Sequence, residues 1–316
     1  MQISIIIPVK NAEAYLERCL DSILKSLKKA GNKKAEILLV DNGSTDNTPK
    51  IEQAYAKNYS FIKILNCKTP GAAAAKNLGN KHAHTKYFWF IDADDTITET
   101  AITKILEKTH QDPDLIMLGA DKLDKNGHKI RYFSPVDETK PDYKSRFIRY
   151  GMGPWQVVIK ANWWREHNFK FPEGIIHEDM ALMSILILYT DHLAHIDQPL
   201  YHYYETANSV LHSQKWDKKY FDIFPALEYL HAGFKAAHAD QTYEKELEWF
   251  FIWNLLIDSA ADFKKFKQGR PGFAKSRAML KRYYPHWRRN PFLHAKPWKL
   301  KLLVRMNYYG INKPEI

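Results

Sequence analysis

The sequence predicts an α/β fold: a mainly parallel, doubly wound sheet with helices on both faces, followed by a helical C-terminal region. Three observations carry this expectation. Short apolar runs alternate with helix-period segments through the N-terminal part of the chain. Clusters of Asn, Asp, Gly and Ser follow the ends of those runs. From Trp216 onward the apolar pattern becomes helical and aromatic.

Residues 3–9 form an apolar run of the kind buried on both faces of a parallel sheet. Asn11 is placed to cap the next helix, where Tyr15, Leu16, Cys19, Leu20, Ile23, Leu24 and Leu27 recur at three- and four-residue spacing and Gly31 supplies the stop. Residues 36–40 repeat the strand pattern, and Pro49 sits where a second helix can start. Residues 61–65 and 87–91 read as strands, with an Ala-rich helix at 72–84 between them and another helix at about 97–108. A further strand is expected at 114–120, then a hairpin around Asn126 and Gly127. The pair Glu178 and Asp179 opens an apolar helix, and a single domain boundary is expected near Ser213, separating residues 1–213 from 214–316.

In such sheets ligands bind beyond the carboxyl ends of the strands. Three polar sets fall there: Lys10 with Asn11, residues 41–46, and residues 92–95. Strand geometry points Asp92 and Asp94 to one side. Carboxylates held together in this way either share a hard cation, Mn2+ or Mg2+, or serve as cap and first-turn acids of the following helix. Asp41, at a sheet rim, either accepts from a base or ribose or closes an Asx-turn. Asp179, beside Glu178 and His177, has neighbours that favour a general base, while helix capping explains it equally simply.

Cys19 and Cys67 lack zinc-site spacing and read as buried free thiols, which suits a reducing compartment. With no signal-peptide pattern and no apolar stretch approaching about 18 residues, a cytoplasmic location is expected. The net charge of +11 is uneven: residues 264–316 carry 15 Lys or Arg against Glu315, a balance of +14 that leaves −3 for the first 263. Such a block reads as a surface for an anionic partner. Between Lys281 and Arg305 the cations interleave with Tyr283, Tyr284, Trp287, Phe292, Trp298, Leu300, Leu302 and Leu303, either an interfacial membrane helix or a solvated basic face.

Taken together, Ile-Ile-Ile-Pro-Val-Lys-Asn at 5–11, Val-Asp-Asn-Gly-Ser-Thr-Asp at 40–46, Gly-Ala-Ala-Ala-Ala-Lys-Asn-Leu-Gly at 71–79, Asp-Ala-Asp-Asp at 92–95 and Glu-Asp at 178–179 resemble the family 2 glycosyltransferases of bacterial envelope and capsular polysaccharides. The resemblance implies a GT-A (Rossmann-like) mixed, mainly parallel sheet. It also implies inverting transfer from a nucleotide-sugar donor, by family habit a UDP-sugar, to a hydroxyl of a glycan, lipid-linked or polymer acceptor. Pro8 and Val9 would line the base pocket, Asp41 would accept from uracil or ribose, and Lys76 and Asn77 would help hold the nucleotide. Asp92 would meet the ribose or the metal, Asp94 the metal, and Asp179 would be the catalytic base. Glu178 and Trp155 would flank the acceptor. Three positions depart from the family pattern: Lys10 where an aromatic is common, Lys76 for an Arg, and Glu205 near an expected Arg. Ser209 and His212 are minor candidates for a loop over the phosphates. A peripheral position on the inner face of a membrane is expected of the basic region, and a homodimer contact is open to the aromatic one. Two rivals stand beside this reading. A sugar nucleotidyltransferase would need a Gly-rich triphosphate loop where Lys10-Asn11-Ala12-Glu13 stands, and for a nucleic-acid binder only the basic tail speaks, so no nucleic-acid partner is expected.

Overall fold

The computed structural model describes residues 2–31, 34–205 and 216–310, so Ser209, His212 and the boundary residue Ser213 lie outside the described residues. The chain separates into two compact units. The first comprises Met1–Tyr143, Met152–Gly174 and Thr190–His212; the second comprises Lys144–Gly151, Ile175–Tyr189 and Ser213–Ile316. Two short segments from the first two-thirds of the chain thus belong with the C-terminal helices, an arrangement that a single cut along the sequence does not describe.

The first unit is built on a nine-stranded mixed sheet. Its strands are β1 (Ile3–Val9), β2 (Ala35–Asp41), β3 (Ile62–Asn66), β4 (Tyr87–Phe90), β5 (Thr96–Ile97), β6 (Leu115–Leu123), β7 (Lys129–Phe133), β8 (Val157–Lys160) and β9 (Leu193–Tyr204). The order is 3-2-1-4-8-6-9-5, with β7 paired to β6. The first four strands are parallel, as their continuous apolar runs require; β8 enters antiparallel between β4 and β6. Helices α1 (Leu16–Ala30), α2 (Thr48–Asn58), α3 (Ala72–His82) and α4 (Ala101–Lys108) follow β1, β2, β3 and β5 in turn. The expected inner face of α1 is the observed one: Leu16, Cys19, Leu20, Ile23 and Leu27 are buried, and Gly31 at φ 89° ends the helix. Helix α3 meets the sheet at Gly79, where a Cβ would stand 2.3 Å from Ile6 Cγ2, so only a glycine allows this approach.

One expected helix starts late. Residues 96 and 97 instead form β5, because Thr96 and Ile97 pair with His202 and Tyr201 of β9, and the Ile97 N–H donates to Ser22 Oγ at 3.1 Å. Their backbone groups are thereby satisfied without a helical turn. The anticipated hairpin is β6–β7, closed by Asp124, whose Oδ1 accepts from Asn126 and His128 N–H at 2.8 Å each.

The second unit is helical. It holds most of α5 (Tyr143–Tyr150), with α6 (Ala161–Glu166) remaining in the first unit, and continues through α7 (Glu178–Leu186), α8 (Ile223–Ala236), α9 (Glu244–Trp253), α10 (Ser259–Lys265), α11 (Pro271–Tyr283), α12 (Pro291–His294) and α13 (Trp298–Tyr309). A π-helical turn, Asn254–Asp258, joins α9 to α10. Among the described residues no helix is long and apolar enough to cross a membrane.

Candidate active site

The carboxyl ends of β2, β1 and β4 lie side by side, and the loops leaving β1 and β2 are bonded to each other. Asn11, at φ 49°, donates its N–H to Ser44 Oγ at 3.0 Å and accepts from Thr45 N–H at 2.8 Å. The Ala12 N–H reaches Thr48 Oγ1 at 2.8 Å, Glu13 N–H reaches Asp46 Oδ2 at 3.2 Å, and Asn47 N–H returns to Glu13 Oε2 at 2.8 Å. Asp41 closes β2 and accepts from Ser44 N–H at 3.1 Å, the turn contact expected of it, and Asp46 makes a second one by accepting from Thr48 N–H at 3.0 Å. Pro8 and Val9 close β1 on the same edge, where Val9 O accepts from Asn42 N–H at 2.8 Å.

Sequence reasoning missed Asn42. Its buried amide donates to Cys67 O at 3.2 Å and Thr69 O at 2.7 Å and accepts from Gly71 N–H at 2.8 Å, fastening the β3–α3 loop beside Asp41. An Asn between Asp and Gly reads as a turn residue, which is why the signal was invisible.

The third acidic set divides by environment. Asp95 is buried, accepting from Tyr201 Oη at 2.6 Å and Tyr204 N–H at 2.8 Å. Burial, and after it the charges of Asp92 and Asp94, hold its proton affinity well above the usual carboxylate range. Asp92 and Asp94 are half-buried. Arg18 of α1 donates to Asp94 O at 2.6 Å and lies 3.8 Å from the Tyr204 ring centroid. Tyr203 feels the same field: burial, then Asp95, Asp92 and Asp94, push its phenol up to about 12. Trp155, half-buried, stacks on Tyr201 at 4.8 Å and Tyr203 at 5.6 Å, and its carbonyl accepts from Trp89 Nε1 at 2.7 Å. An aromatic layer therefore abuts the acids.

On α3, Lys76 is buried with its Nζ 5.3 Å from the Phe171 ring centroid. Asn77 is committed to the protein: it donates to Phe171 O and Glu173 Oε1 and accepts from Phe171 N–H, fixing residues 171–173. A cavity of about 710 Å³ runs along α3, lined by Asn66, Lys68, Asn77, Lys81, Arg165 and Lys170 among others; of the expected site residues only Asn77 touches it.

Glu178 and Asp179 form the first turn of α7 in the second unit. Glu178 is buried, and Asp179 Oδ1 accepts from Met180 N–H at 2.7 Å. His177 precedes them at φ 77°, and burial lowers its proton affinity against the opposing charges of Asp179, Glu178, Asp222 and Asp262, which favours a neutral imidazole.

Among the described residues, Asp137, Glu138 and His195 are the trio whose ligand-type atoms lie within 4.8 Å of one another. There His195 Nδ1 bonds the Glu138 carboxylate, and Asp137 accepts from Thr139 N–H at 2.9 Å. Asp92, Asp94 and Asp95 do not close into such a trio. The negative field that the first two impose on Asp95 suits a hard cation held by two carboxylates and completed by substrate oxygens, the usual manner of Mg2+ and Mn2+.

The mixed sheet, with fastened loops and a pair of half-buried carboxylates at its strand ends, has the GT-A arrangement. The profile described as glycosyl transferase family 2 matches residues 4–168, more than half of the chain, and the chain belongs to that family. It is similar to the uncharacterised glycosyltransferase YibD of Escherichia coli (strain K12), 29% identical over 258 residues that cover 74% of this chain and 72% of YibD. It is 36% identical over 185 residues to the teichoic acid poly(glycerol phosphate) polymerase of Staphylococcus epidermidis, covering 55% of this chain and 24% of that one. Among solved structures, S. aureus TarS 1–349 in complex with UDP-GlcNAc aligns with a TM-score of 0.74 at 18% identity, over 98% of this chain and 90% of that one. The mannosyltransferase PcManGT from Pyrobaculum calidifontis, in complex with GDP-Man and Mn2+, aligns at 0.53 with 16% identity over 98% and 86%. Both structural likenesses are likenesses of fold.

Proposed function

We propose that this glycosyltransferase moves a sugar from a UDP-sugar to an acceptor hydroxyl in cell-surface glycan synthesis, with inversion at the anomeric carbon. The observation that carries the reading is the fastening of the β1 and β2 loops to each other beside the half-buried pair Asp92 and Asp94. Pro8, Val9 and Asp41 would receive the base and ribose, with Lys76 supplying positive charge from α3. Asn77 would act indirectly, by holding residues 171–173. Asp92 and Asp94 would hold Mn2+ or Mg2+, which would neutralise charge on the departing diphosphate.

Asp179 would take the acceptor proton as the hydroxyl attacks, with buried Glu178 and Trp155 flanking the acceptor. A single displacement inverts the centre. Two buried free thiols suit a reducing compartment, and the basic C-terminal region would attach the protein peripherally to an anionic membrane surface on that side.

Thermal unfolding with nucleoside diphosphates, with and without Mn2+, tests the reading. UDP with Mn2+ should raise the midpoint by a few degrees, as a ligand of the folded state must. Stabilisation that is indifferent to nucleotide and to metal would overturn it.

A further inference from the structure

Of the aromatic and aliphatic residues that the sequence interleaves with cations in the C-terminal region, most are structural. Tyr284, Trp287 and Leu293 are buried, and Asn290 caps α12 while donating to Glu248 Oε2 at 2.8 Å. Helix α13 is different. At roughly 100° per residue, Leu300, Leu303, Val304 and Asn307 share one side, and there Val304 and Asn307 are buried, with Asn307 Nδ2 donating to Leu256 O at 2.6 Å. The opposite side carries Trp298, Leu302, Arg305 and Tyr309 within an arc of about 60°. Trp298 is 66% exposed, Leu302 48% and Tyr309 59%.

Trp298 and Leu302 lie open on this stripe, and Tyr309, whose Oη accepts from Arg288 at 3.2 Å, continues it with its ring still exposed. Their surroundings are cationic: residues 264–310 contain 14 Lys or Arg and no acid. Lys299 and Lys301 border the stripe, and Arg305 lies within it with a stem long enough to bury its methylenes and keep its charge in water. Apolar anchors with amphipathic rings, flanked by cations, match a surface that is apolar below and anionic above.

We propose that α13 lies in the plane of an anionic phospholipid bilayer, with Trp298, Leu302 and Tyr309 in the interface and Lys299, Lys301 and Arg305 at the lipid phosphates. The inference deepens the peripheral attachment proposed above, by naming the helix and side chains that make it, and its test uses neither donor nor acceptor. The full chain is floated with phosphatidylcholine vesicles with and without phosphatidylglycerol, alongside Trp298→Ser with Leu302→Ser, Lys299→Gln with Arg305→Gln, and Lys57→Gln on α2 as a control. Binding should require phosphatidylglycerol. The charge pair should weaken it roughly twenty-fivefold, the serine pair at least roughly tenfold, and the control not at all, with each variant unfolding as the wild type does. Equal binding to both vesicle types, or a serine pair that floats as the wild type does, would overturn the proposal. So would a two-chain mass in solution that the serine pair reduces to one, or displacement from vesicles by RNA in preference to phosphatidylglycerol. UDP binding without vesicle binding would defeat this inference alone.

Discussion

Tyr201 and Asp95 are joined across 106 residues of sequence by a buried 2.6 Å hydrogen bond, and the same phenol oxygen accepts from Asp92 N–H at 3.1 Å. One hydroxyl on β9 therefore sets both the buried acid and the backbone from which Asp92 projects. Tyr201→Phe removes both bonds while keeping the ring that Trp155 stacks on. It should lower unfolding stability by about 2 kcal/mol, read by denaturant titration. Unchanged stability would mean that Asp95 is satisfied by Tyr204 N–H alone.

Asn42→Ala removes three bonds that fasten residues 67–71. The loop beside Asp41 loosens, so the donor KM should rise with kcat little changed, and stability should fall by roughly 1–3 kcal/mol. Steady-state kinetics separate the two effects. A fall in kcat at constant KM would instead put Asn42 in the chemistry.

For the proposed base, Asp179→Asn should cut kcat by roughly 10²–10⁴. Calorimetry should show the UDP-sugar affinity retained, because the residues proposed to hold the donor lie in the other unit. A variant within tenfold of wild type would remove Asp179 from the role.

Glu52, on α2, is buried, with Oε1 lacking a hydrogen-bond partner. Burial, then the charges of Asp41 and Asp46, push it up to about 7, against about 4.3 in an unfolded chain. The folded state holds this proton more tightly, so stability falls as pH rises from the unfolded value through about 7. Glu52→Gln should be more stable than wild type at pH 8, by up to about 3 kcal/mol, and the two should converge toward pH 4. Parallel thermal midpoints across that range would show that Glu52 is not the titrating group.

Much of the first unit was legible because its strands announce themselves: residues 3–9, 37–40 and 87–90 are apolar but for Ser4, and a strand so patterned has few other places to go. The short β5 was not legible, since Thr96 and Ile97 become a strand only when β9, a hundred residues later, lies beside them. The same distance hid the division of the acids: adjacent aspartates look alike until Tyr201 and Tyr204 select Asp95 for burial. In the C-terminal region, composition revealed the cations but not which rings face outward, because that depends on how α13 is rotated against its neighbours.

The bonds between Asn11 and Thr45 and between Glu13 and Asn47 have a kinetic consequence. Two loops laced to each other by the fold surrender their conformational freedom during folding, so a donor seated on them as proposed need not freeze them, and its association should then be rapid and one-step.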